Sequence, residues 1–147
     1  MKWIDNIVVG LIEVCDTSDI YEILDYFKIS IFKLEKDNVI LKNNTALYYR
    51  NYSDKDVIFI RDDLPVKYEK FILSHELGHK LLHTSLSTAA FNIGLANLGK
   101  LERQANYFAL KLSVITFDEI ELNQMSIEQI ASCVELPCEP LKQLVNI

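Results

Sequence analysis

The chain has 147 residues, half of them apolar, which is enough to enclose one buried core without cross-links. Fifteen basic against 21 acidic side chains leave a formal charge of −6, which argues against nucleic acid as a main ligand and favours a basic partner. Three cysteines, an odd number with no signal peptide ahead of them, point to reduced thiols in a cytoplasmic protein, and no apolar run approaches the roughly 20 residues that span a membrane.

Residues 3–27 place Ile, Val, Leu, Tyr and Phe at helical spacing, broken by a polar stretch from Asp16 to Asp19, so two short helices are expected, with residues 7–12 on a core face. Residues 29–60 gather β-branched and aromatic residues as ISIFKL, NVIL, TALYYRNY and DVIFI between polar turns, the pattern of a small, mostly antiparallel sheet. Asp62 and Asp63 then precede Leu64 and Pro65, a helix opening with capping carboxylates and a proline in the first turn, and that helix is expected to run to about His83.

Residues 84–99, rich in Ser, Thr, Ala, Asn and Gly, read as an irregular loop. Helical periodicity resumes over 101–112, with Ala105, Phe108 and Leu112 on one side. Ser126 and Gln129 have the spacing of a capping box, and two short helices around Pro137 close the chain. The expected class is α+β, one domain over 1–147 with 126–147 a short helix pair.

The chemistry lies in His75-Glu76-Leu77-Gly78-His79. On a helix, four residues advance about 400° and 6 Å, so both imidazoles leave one face and can share a metal ion. Zinc so bound brings the pKa of its water down to roughly 7, and Glu76 is placed to take the proton as the water attacks a carbonyl. A catalytic zinc needs a third protein ligand. Glu102 is the candidate, at the start of a helix whose small Ala105 permits close approach; the alternative is a first-turn carboxylate favoured by the helix dipole.

Asn106, one turn further, could accept from the far nitrogen of a ligating histidine. His83 continues the spacing, but about 12 Å of helix rise separates it from His75, leaving it to contact a ligand or substrate, or to lie on the surface. Gly78 costs about 1 kcal/mol in a helix, which suggests a close neighbouring backbone, a passing substrate or tight core packing. Tyr48, Tyr49, Tyr52 and Tyr107 are candidate oxyanion donors. Cys133 and Cys138 read as core thiols rather than a structural zinc site.

The segments FILSHELGHKLLH (71–83) and LERQANYFALKL (101–112) resemble the ImmA/IrrE family of metallopeptidases from bacteria, phages and mobile elements. The resemblance implies zinc held by His75, His79 and Glu102, Glu76 as general base, and a helix-turn-helix repressor as protein substrate. The chain departs from the family pattern at Gln104, where an acidic residue is common, and at 113–116, which lacks a proline. The ending SIEQIASCVELPCEPLKQL (126–144) resembles the helix pair that often follows this core; its excess of carboxylates over a lone Lys142 predicts no DNA binding.

The leading expectation is a zinc endopeptidase acting on such a regulatory protein, with 86–98 part of the substrate groove and Phe91, Ile93, Leu95 and Leu98 a docking edge. Two other readings are a non-catalytic metal-containing module that sequesters a repressor or antitoxin, and a DNA-binding regulator resting on the C-terminal helix pair. Glu76 favours chemistry, because a purely structural zinc tends to be closed by four protein ligands and needs no carboxylate beside it.

Overall fold

The computed structural model describes residues 2–83, 88–91, 99–113, 126–134, 136–138 and 141. Helix α1 (Lys2–Cys15) buries Ile4, Val8 and Leu11, spaced four and three residues apart as a 3.6-residue period requires. It ends where Asp16 adopts a left-handed conformation, φ 55°. Asp19 then caps α2 (Ile20–Tyr26), accepting the Tyr21 N–H at 3.1 Å. Lys28, φ 58°, closes α2, and the Ile29 N–H returns to the Leu24 carbonyl at 2.9 Å. Both expected helices and the break between them are present.

Among the described residues the sheet has four strands, β1 (Ser30–Leu34), β2 (Ala46–Tyr52), β3 (Lys55–Arg61) and β4 (Thr88–Phe91), in the order β1-β3-β2-β4. β1 runs parallel to β3, while β2 is antiparallel to both β3 and β4, so the sheet is mixed with antiparallel pairing predominant. Ser53 and Asp54, both at positive φ, turn β2 into β3, as tight hairpins require. Ala46, Tyr48, Ile58 and Ile60 face the helices and join the main core. Leu41, Val57 and Phe59 form a smaller cluster with Leu34 and Tyr49.

Two expectations about this region are corrected. NVIL is no strand: Val39–Leu41 is a 3-10 turn, capped by the Asn38 side chain accepting the Ile40 N–H at 2.9 Å. Lys42 and Asn43 follow at positive φ, so local side-chain bonding and left-handed backbone win over ladder pairing. The stretch 84–99, read as irregular, contains β4, whose four residues are too short to show alternation but complete the pairing of β2.

Helix α3 (Val66–Leu82) is the centre of the molecule: every residue over 68–79 except Lys70 is buried. A helix buried on all sides belongs to the core rather than to an amphipathic surface. Pro65 occupies the N-cap, but the expected carboxylate cap is absent, because Asp63 is drawn instead to Arg61, whose Nε and Nη2 donate at 2.8 and 2.5 Å. At the other end Arg50 of β2 donates to the carbonyls of His79, Lys80 and His83 at 3.2, 2.8 and 3.2 Å. The His79 carbonyl also accepts the His83 N–H at 2.9 Å, and a cation at this end of the helix suits its dipole.

Helix α4 (Lys100–Leu112) packs on α3 with Ala105, Phe108 and Leu112 buried, as the periodicity predicts. The contact is close at Gly78: a β-carbon there would lie 3.1 Å from Phe108 Cδ1 and 3.4 Å from Ala105 Cα. The buried Phe108 ring and the Ala105 backbone both lie here, so tight core packing and close helix approach together account for this glycine. Helix α5 (Ile127–Val134) opens with the expected capping box, Ser126 and Gln129 each bonding the other's backbone N–H, at 3.1 and 2.8 Å. Most of its expected partner around Pro137 lies outside the described residues, as does the Cys133 side chain, while Cys138 is half-buried against the core.

Candidate active site

One turn of α3 separates His75 from His79, and the crossing of α4 at Gly78 brings Glu102 to both. Glu102 Oε2 lies 3.0 Å from His75 Nε2, and Oε1 lies 3.1 Å from His79 Nε2; the two Nε2 atoms are 3.2 Å apart. All three groups offer a ligand atom within 4.8 Å of one another. Both histidines are buried, and Glu102 retains 20 % side-chain exposure. The sequence therefore named three residues that the tertiary structure assembles.

The far nitrogens explain why the inner ones are available. His75 Nδ1 donates to Asn106 Oδ1 at 2.7 Å, an oxygen that can only accept. His79 Nδ1 faces His83 Nδ1 at 2.9 Å, and His83 Nε2 donates to Gln104 Oε1 at 2.9 Å. In neutral rings this leaves both Nε2 lone pairs turned on each other and on a carboxylate. Such a set of acceptors at about 3 Å repels itself unless a cation, a proton or a metal, sits among them. Two imidazoles and a carboxylate with an open fourth position fit a catalytic metal.

Burial sets the electrostatics. It lowers the proton affinity of His79, more than the Glu102 hydrogen bond restores it, and lowers that of His83 in the same way. For Glu102 burial alone pushes upward, but hydrogen bonds with His75 and His79 prevail and hold the carboxyl at about 2. Glu76 is fully buried, and burial, aided by the charge of Glu102, raises its carboxyl well above the ordinary range. Among the described residues neither Glu76 oxygen meets a hydrogen-bond donor. An orphaned buried carboxylate is costly and calls for a ligand or a catalytic purpose.

Two of the four candidate tyrosines have their hydroxyls engaged by carboxylates. Tyr48 OH donates to Asp56 at 2.7 Å and Tyr107 OH to Asp5 at 2.8 Å. Tyr49 and Tyr52 meet Phe59 edge to face and pack against each other at a tilt. Asn106 takes the position beside a histidine that its spacing suggested, and His83 is buried against His79 rather than on the surface. Sequence reasoning noted Gln104 only as a departure from the family pattern and missed Arg50, and their polar neighbours give neither a local signal. The expected groove over 86–98 lies outside the described residues apart from the β4 backbone, as do the side chains of Phe91, Ile93, Leu95 and Leu98.

The fold and the His-Glu-His cluster agree with what similarity to known proteins shows. The family model described as the IrrE N-terminal-like domain, a peptidase family, matches residues 24–144, and the chain belongs to this ImmA/IrrE family of metallopeptidases. It is 34 % identical over 144 residues to Metallopeptidase ImmA of Bacillus subtilis (strain 168), a match covering 92 % of this chain and 80 % of that protein. No helix among the described residues is long and apolar enough to cross a membrane.

Proposed function

We propose that this protein is a zinc-dependent endopeptidase of the cytoplasm that cuts a regulatory protein, a helix-turn-helix repressor. One observation carries the catalytic reading: Glu76, buried and without a hydrogen-bond donor among the described residues, stands next to His75 in a converging set of His75, His79 and Glu102. Zinc at those three groups would supply a Lewis acid that polarises a peptide carbonyl and makes water acidic enough to attack it near neutral pH.

The remaining work falls to the chain. Asn106 holds the His75 ring with Nε2 inward. Glu76 takes the proton of the attacking water and returns it to the departing amide nitrogen, with burial holding its carboxyl above the ordinary range. The repressor as substrate rests on the family resemblance and on the −6 charge, which favours encounter with a basic protein.

The test is to incubate zinc-loaded protein, wild type and Glu76→Gln, with a repressor encoded nearby and with casein. The wild type should cut the repressor at limited sites, and the variant should keep zinc and fold while losing cleavage. A variant as fast as wild type would sink the catalytic role of Glu76. Rapid casein degradation with neither cleavage nor binding of the repressor would overturn the regulatory reading and leave the metal site standing.

A further inference from the structure

Metal-binding histidines usually rest their far nitrogen on a carbonyl or carboxylate, which can only accept and so fixes the tautomer. His75 follows this rule through Asn106 Oδ1. His79 does not, because its Nδ1 meets another imidazole, His83, at 2.9 Å. A pair of neutral imidazoles has two polarities. In one, His79 carries its proton on Nδ1 and turns the Nε2 lone pair towards Glu102 and His75; in the other, His83 donates and His79 Nε2 is protonated and unable to bind a metal.

The choice is made at the far end of the pair, where His83 Nε2 lies 2.9 Å from Gln104 Oε1. Accepting there forces the proton onto His83 Nε2, frees His83 Nδ1 to accept, and commits the His79 proton to Nδ1. We infer that Gln104 is a positioning residue that acts through His83 to hold His79 in its metal-binding tautomer. Helix α4 thus supplies an amide oxygen to each arm of the site, Asn106 directly and Gln104 through one intervening ring. Gln104 and His83 are both buried, so water is poorly placed to replace either partner. The inference rests on the reading that His79 binds the metal.

Two measurements test it. Histidine-labelled wild type, with and without zinc, gives the tautomer of each ring from two-bond proton–nitrogen spectra. His83 should be protonated on Nε2 and His79 on Nδ1 in both states, and a His83 protonated on Nδ1 would overturn the relay.

Zinc affinity by chelator competition then separates hydrogen bonding from packing. Gln104→Met, similar in length but without the amide acceptor, should bind zinc about 10–100-fold more weakly, the usual effect of losing such a partner. Gln104→Glu, which keeps an acceptor, should stay within a few-fold of wild type. Wild-type affinity in Gln104→Met, or equal losses in both variants, would refute the inference. If the wild type takes up no zinc, the metal reading itself fails, and the tautomers of the metal-free protein still decide the relay.

Discussion

Gly78→Ala probes how closely α3 and α4 must approach for the site to form. In a free helix the substitution would stabilise by about 1 kcal/mol. Here the new methyl would lie 3.1 Å from Phe108 Cδ1 and 3.4 Å from both Phe108 Cβ and Ala105 Cα. Phe108 is fully buried and Ala105 Cα is backbone, so neither can step aside cheaply. Forcing a methyl into a packed contact costs about 1–3 kcal/mol. The balance is a net destabilisation of about 1 kcal/mol, or roughly 2–4 °C in melting temperature for a chain of this size. Since Glu102 rides on α4, zinc affinity should fall as well. Thermal unfolding followed by circular dichroism and chelator competition read the two effects. In a double-mutant cycle, Phe108→Leu should recover part of the loss, because the clash is with that ring. A Gly78→Ala protein as stable as wild type, with unchanged zinc affinity, would refute the claim that this glycine sets the helix separation.

Three further outcomes are expected. Glu102→Ala should lose zinc in elemental analysis while the helices persist, since the two histidines alone leave the site short of a ligand; unchanged affinity would eliminate Glu102. Acidification should release zinc only below pH 6.5, because burial lowers the proton affinity of His79 and keeps the neutral ring at lower pH, while Glu102 stays ionised to about 2; release centred above 6.5 would contradict this order. Arg50→Ala should destabilise by about 1–2 kcal/mol in urea, with loss of charged hydrogen bonds at the end of α3, and an unchanged midpoint would deny the capping role.

What the sequence determined by itself is what local geometry settles. A 3.6-residue period places His75 and His79 on one face whatever surrounds the helix, and the same period recovers α1, α2 and α4 from their apolar spacing. The Ser126–Gln129 box was legible because both bonds lie within one turn. The tertiary structure decided whatever depends on elements far apart in the chain. Glu102 reaches the histidines only because Gly78 and Ala105 let two helices touch, and the His79–His83–Gln104 chain crosses between those same helices. Hydroxyls of Tyr48 and Tyr107 went to Asp56 and Asp5, and residues 38–41 became a turn while Thr88–Phe91 became a strand. Each of these was settled by competition among hydrogen-bond partners and by packing across the core, for which no local pattern of residues is diagnostic.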